Sequence, residues 1–120
     1  MKKLFAIRGA TQCKNEAQDI KENISTLYDA LISANGLCED DIVSLQFSIT
    51  SDLTAANPAQ ALRESGRGAN LSLFCSQEPL CVNSLPRTVR FLLHCYLDEG
   101  FLIKHIYQNG AEVLRPDRRM

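Results

Sequence analysis

An α+β fold, a mixed β-sheet of about five strands packed with two main helices, is what this 120-residue sequence predicts. Three observations carry that prediction. Val43, Leu45, Phe47 and Ile49 alternate strictly with Ser44, Gln46, Ser48 and Thr50, the signature of a half-buried strand. Ile20, Ile24, Leu27 and Leu31 recur at helical spacing. Asn57-Pro58 supplies an N-cap followed by proline at the first helical position, which opens a second, shorter helix.

Taken in order, Leu4 to Ile7 reads as a first strand running into Arg8-Gly9, where glycine lets the backbone turn or a ligand come close, so Arg8 falls at the strand end. Asn15 and Gln18 form a capping box for the long helix, which spans about four to five turns and closes at Gly36. The acidic turn Glu39-Asp40-Asp41 leads into the alternating strand. The short helix has Gln60 where a box partner would sit, carries Arg63, and ends at Gly66. Leu71 to Cys75 is a third strand, followed by a Ser76-Gln77-Glu78-Pro79 turn. Thr88 to Leu97 is apolar on nearly every residue, so periodicity leaves strand and helix open; Thr88 and Val89 favour strand. A helical turn is expected near Phe101, and Gln108-Asn109-Gly110 reads as a tight turn joining strands His105 to Tyr107 and Glu112 to Leu114. Two helices leave much of one sheet face uncovered, and small domains usually bury such a face against a partner subunit.

The chain has the length of one domain, residues 1–120, with no internal linker. Thirteen Lys and Arg against 14 Asp and Glu leave a formal charge of -1, which argues against nucleic acid as partner. Five cysteines form an odd set without a Cys-x-x-Cys pair and read as reduced thiols, hence a cytoplasmic protein. Arg8 interrupts the apolar start of the chain, and no segment approaches the roughly 20 apolar residues that span a bilayer, so no membrane is implied.

Catalytic side chains of the usual kinds are scarce. There are two histidines, for which packing or backbone hydrogen bonds are the expected roles, and no pair of metal-spaced ligands. Cys75 lies three residues before Glu78, but no histidine is near to activate it, and a cysteine in an apolar strand is ordinarily core. What remains is fixed positive charge: Arg8, Arg63, Arg90 and Arg115 fall in four separate stretches. A guanidinium stays charged at physiological pH and grips carboxylates through a planar fork, so a small dianionic acid is the first substrate class to consider. Arg90 opens an apolar strand and needs an anionic partner: Glu78, Glu99 or a ligand.

Ile7-Arg8-Gly9-Ala10-Thr11, Asn57-Pro58-Ala59-Gln60-Ala61-Leu62-Arg63-Glu64, Cys75-Ser76-Gln77-Glu78, Arg90, His105-Ile106-Tyr107 and Val113-Leu114-Arg115-Pro116-Asp117 stand in the order and approximate spacing of the trimeric, barrel-like, monofunctional chorismate mutases. The chain resembles that family end to end. The resemblance implies a homotrimeric pseudo-barrel that rearranges chorismate to prephenate, without a cofactor, in clefts between subunits. It implies that Arg8 holds a substrate carboxylate and reaches toward the ether oxygen, that Arg90 binds the ether oxygen and a carboxylate, and that Glu78 accepts from the ring hydroxyl. Cys75 would contact that hydroxyl region, Tyr107 would line the pocket, and Arg63 and Arg115 would add charge at the mouth. Ala59, Leu73, Phe74 and Leu114 correspond to wall positions.

This chain departs from the family pattern at Asn57, an aromatic position, at Gln60, a lysine position, and at Phe74, a threonine position. Those departures imply a less positive, differently shaped entrance. A non-catalytic trimeric binder of dicarboxylates and an imine-deaminase-like trimer are the alternatives.

Overall fold

The apolar run that periodicity left open is the centre of the sheet. In the computed structural model, which describes residues 1–115, it forms strand β4 (Thr88–Asp98), with β2 (Ile42–Ile49) along one edge and β1 (Lys2–Gln12) along the other, both antiparallel to it. Strands β3 (Leu73–Gln77) and β5 (Ile106–Gln108) extend the sheet by parallel pairing to β2 and β1, giving the order β3-β2-β4-β1-β5. The mixed five-stranded sheet is thus as expected, with two helices, α1 (Ala17–Ala34) and α2 (Pro58–Glu64), packed on one face.

Pattern explains that packing. Residues of period two on β1, β2 and β4 send Ile7, Leu45, Phe47, Val89, Phe91, Leu93 and Cys95 to the helices, where they meet Ile20, Ile24, Leu27 and Leu31 of α1 and Ala61 and Leu62 of α2. Phe47 and Phe91 meet edge to face at 4.8 Å between ring centroids. At the end of α1, Gly36 takes a left-handed φ of 57°, so that Gly36 N–H donates to Ser33 O and Leu37 N–H to Ile32 O. This pair of hydrogen bonds closes the helix where glycine was expected to close it.

Several local expectations need correction. Asn15 and Gln18 do not cap α1: the Asn15 side chain instead accepts from Thr54 N–H and Ala55 N–H, and Gln18 bonds Glu22. Gln60 likewise turns to Glu64, although Asn57 does cap α2 by accepting from Ala59 and Gln60 N–H. Val43 is bulged out between Ile42 and Ser44, so it lies exposed and Ile42 takes its inward place. Strand β3 begins at Leu73 rather than Leu71 and runs to Gln77, absorbing half of the expected turn.

Phe101 follows a turn closed by its own N–H on Asp98 O, and no helix forms there. Glu112 to Leu114 belongs to a 3-10 turn, Ala111–Leu114, instead of a returning strand. Asn109 and Gly110 do take the left-handed conformations of a tight turn, but Ala111 then buries completely beside Ala10 and Tyr107. Burying that residue wins over extending an edge. Arg8, finally, stands in the middle of an 11-residue β1 and not at a strand end. What approaches Gly9 is neither a turn nor a ligand: a Cβ there would meet Ile106 O and the Leu31 side chain at 3.1 Å, so glycine lets α1 and β5 pack close.

Candidate active site

The face of the sheet away from the helices carries the charge. Register places Ser76, Ser48, Arg90, Ala10 and Tyr107 in one row across all five strands. Phe74, Gln46, Leu92 and Arg8 form the adjacent row. Arg8 and Arg90 are therefore diagonal neighbours on β1 and β4, a residue separation of about 7 to 8 Å. Both line a cleft of about 240 Å³ together with Gln46, Ser48, Ser76 and Leu92.

Glu78 follows β3 directly, and its N–H donates to Ile49 O at 2.7 Å, continuing the ladder by one residue. The two-residue period puts its side chain on the same face as Ser76. There Ser48 Oγ donates to Glu78 Oε1 at 2.5 Å, while Oε2 lies 3.2 Å from Arg90 Nε. The distance makes an ion pair, yet Arg90 Nε lacks a well-directed hydrogen bond. Of the anionic partners considered for Arg90, then, the chain itself supplies Glu78. Among the described residues Arg8 makes no ion pair.

Tyr107 lies two strand spacings from Arg90 in the same row, about 10 Å away, with only the small side chain of Ala10 between them. Leu114 and Leu85 pack against Ala10, Tyr107 and Ala111, which makes an apolar wall beside the charged row. Arg115 directly follows that wall and is half-buried, whereas Pro116 and Asp117 of its motif lie outside the described residues.

The other expected site residues stand elsewhere in the chain. Asn57, Ala59, Gln60 and Arg63 ride on α2, on the helix side of the sheet; Ala59 is buried there and Arg63 is exposed. Leu73 and Cys75 pair in register with Leu45 and Phe47 and pack against the core, while Phe74 points the other way and is 67% exposed. Burial pushes the Cys75 thiol up from its ordinary value, which disfavours the thiolate. A thiol so placed suits packing better than nucleophilic attack.

Sequence reasoning passed over Ser48 and Gln46. Both sit on the polar side of the alternation, which signals solvent; only flanking by β3 and β4 turns that side into the wall of a cleft. His94 and His105 both hydrogen-bond, the former to Ser44 Oγ at 3.3 Å and the latter to the backbone of Arg8, as anticipated for structural histidines.

Comparison with known proteins matches the profile of chorismate mutase type I to residues 4–118. The chain belongs to that family. A chorismate mutase AroH of Bacillus subtilis (strain 168) is 31% identical over 113 residues, covering 92% of this chain and 89% of the relative. The chorismate mutase AroH of Thermus thermophilus is 32% identical over 114 residues, covering 92% and 93%. In three dimensions the chain is similar to a chorismate mutase from Clostridium thermocellum, with a TM-score of 0.84 and 40% identity over 91% of this chain and 98% of that one. The resemblance read from the motifs is thereby borne out for the type I chorismate mutases, and the mixed sheet with two helices is their fold.

Proposed function

We propose that this protein isomerises chorismate to prephenate and that the open-face cluster of Arg8, Arg90 and Glu78 is the part of the site where the chemistry occurs. The observation that carries this reading is the placement of two guanidinium groups as diagonal neighbours in one cleft, with a single carboxylate held against one of them. A dianion with a hydroxyl group matches that charge pattern. The rearrangement breaks an ether carbon-oxygen bond ahead of forming a carbon-carbon bond, so negative charge grows on the ether oxygen. A guanidinium fixed at that oxygen stabilises the transition state more than the ground state, by about 3 to 4 kcal/mol if it resembles one oxyanion donor.

Arg90 takes the ether oxygen and one carboxylate in this reading, and Arg8 takes a carboxylate and reaches toward the same oxygen. Glu78 accepts from the ring hydroxyl, oriented by Ser48, and Tyr107 and Leu114 line the apolar side. Two carboxylates clamped by separate arginines keep the enolpyruvyl arm over the ring in a near-attack geometry. No proton moves and no covalent intermediate forms, so neither a general base nor a cofactor has a step to perform.

The active form we infer is a homotrimer with clefts at subunit junctions. Arg63, Asn57, Ala59 and Gln60 lie across the sheet from Arg90 in one chain, so they reach its cleft only from another copy. Leu4, Tyr96 and Phe74 stand about half or more exposed on the open face, an apolar surface that a second copy would cover. Leu73 and Cys75 would then border the cleft through the backbone of β3, and Arg115 would close its mouth. Five free thiols suit a cytoplasmic setting.

Ultraviolet monitoring of chorismate loss, with the product identified as prephenate, tests the reaction. Binding without turnover would leave only the dicarboxylate-binding reading. Subunit mixing tests the shared site: inactive Arg90→Ala chains mixed with impaired Arg63→Ala chains should regain activity as hybrid trimers form, and additive activities at every ratio would refute a shared cleft.

A further inference from the structure

Arg8 is held at its backbone by a side chain. Its N–H donates to His105 Nδ1 at 2.9 Å, so a donor that a sheet ordinarily satisfies with a carbonyl ends on an imidazole. Register explains why. Strand β5 begins at Ile106 opposite Gly9, so the ladder on that side of β1 stops one pair short of Arg8. The ring of the residue just before β5 completes it. His105 is 8% exposed, so packing holds the ring in place. Nδ1 can accept only while it carries no proton, which places the neutral ring's proton on Nε2.

The location of this bond matters because of what Arg8 faces. Arg8 and Arg90 are like-charged diagonal neighbours on one face. Glu78 partners Arg90, whereas Arg8 makes no ion pair among the described residues. Repulsion therefore acts on the arginine without a carboxylate, and a long flexible side chain is aimed no better than its Cα is fixed. Gly9, the next residue, is seated tightly against Ile106 O and Leu31, which extends the same fixed segment of β1.

We propose that His105 is a positioning residue for the reaction: its Nδ1 fixes the backbone of Arg8 and so aims the Arg8 guanidinium into the cleft. The proposal rests on Arg8 acting at the substrate. Geometry makes it specific to one ring atom, because an Asn carboxamide oxygen falls near the place of Nδ1, a Gln oxygen falls one bond further out, and Leu offers no acceptor.

Steady-state kinetics on the full chain with His105→Asn, His105→Gln and His105→Leu, each also built on Arg8→Ala, tests it. His105→Asn should keep kcat within about threefold, while His105→Gln and His105→Leu should lower it about 10- to 100-fold with a smaller change in KM, the scale of a misplacement near 1 Å. On Arg8→Ala the three substitutions should make no further difference. Equal losses in all three, full activity in His105→Leu, or the same losses on Arg8→Ala would each overturn the proposal. Should His105→Leu fail to fold, the contrast between Asn and Gln decides alone. Hydrogen exchange separates the two layers: an Arg8 amide that stays protected in His105→Leu overturns the contact, whereas full activity of Arg8→Ala overturns the substrate reading beneath it.

Discussion

The two faces of one sheet are made by the same strands to opposite ends. On β4, Phe91 is buried to 2% exposure against Phe47 on the helix side, and the preceding residue, Arg90, turns its charge to the open side. The helix side is closed by apolar area, with Ile7, Leu45 and Leu93 fully buried under α1 and α2. The open side keeps arginines and serines within a cleft, with Glu78 held against Arg90 and Ser48, next to apolar residues that one chain leaves uncovered. Under the proposed site, stability concentrates on one face and chemistry on the other, and a substitution's effect should depend on which way its side chain points more than on which strand carries it.

Phe91→Ala gives the largest expected effect and the sharpest test of that division. Removing a fully packed ring from the helix side should cost about 3 to 5 kcal/mol of stability. Thermal unfolding would show it, while kcat below the new midpoint should stay near normal. A large loss of kcat in the folded fraction would break the division.

Arg90→Lys, one residue away, should do the reverse. Lysine is a point donor that cannot span the ether oxygen and a carboxylate together, so turnover should fall by about 10² to 10³ with the melting temperature nearly unchanged. Near-normal turnover would reduce Arg90 to an ordinary carboxylate anchor.

A smaller effect is expected from Arg63, which the proposed trimer sets at the entrance of a neighbouring copy's cleft. Arg63→Ala should raise KM by roughly tenfold with kcat almost unaltered, since a charge at the mouth serves ground and transition states alike. Chorismate saturation curves would measure the split, and a drop in kcat of equal size would place Arg63 at the breaking bond.

Asp29 provides a test confined to stability. Its carboxylate accepts from Arg67 Nε at 2.7 Å and from Nη2 at 2.8 Å, tying α1 to the turn after α2. The hydrogen-bonded guanidinium holds the Asp29 carboxyl below its ordinary value of 3.8. A depressed carboxyl contributes stability that is present above the unfolded value and is lost as pH falls through the folded one. The pair is largely exposed, so Asp29→Asn should cost only about 0.5 to 1 kcal/mol at pH 6, and the difference should shrink as acid protonates the Asp29 carboxyl. Denaturant titrations at pH 6 and in acid would check it; a cost that grows in acid would reverse the sign.

The smallest effect expected is none at all. Because the proposed reaction moves no proton, kcat should stay nearly level from about pH 7 to 9, above the ordinary imidazole range. A bell centred near neutrality would require an acid or base that neither face provides in the present reading.

How much of this could be read from the residues follows from the range of each interaction. The spacing of Ile20, Ile24, Leu27 and Leu31, the alternation through Phe47 and the cap at Asn57 are local, so α1, β2 and α2 were legible nearly to their ends. The run from Thr88 to Leu97 gave a strand once β-branched residues were weighed. Asn15 was misread as a cap because its partners, Thr54 and Ala55, lie some 40 residues away. The strand expected at Glu112 failed for a similar reason: burial of Ala111 against Ala10 and Tyr107 decided that segment.

The sequence by itself determined the side chains available for chemistry and, through motif order, the family to which they belong. It also fixed which residues of each strand could share a face, because a period of two is built into the extended backbone. Register decided the rest. Only strand pairing brings Arg8 and Arg90 from positions 82 residues apart into one cleft with Glu78 against Arg90, sends Cys75 to the core side, leaves α2 on the far face, and starts β5 one residue short of Arg8 so that His105 completes the ladder. Such pairing depends on hydrogen bonds and packing between segments remote in sequence, and no local pattern encodes which remote segment will meet which.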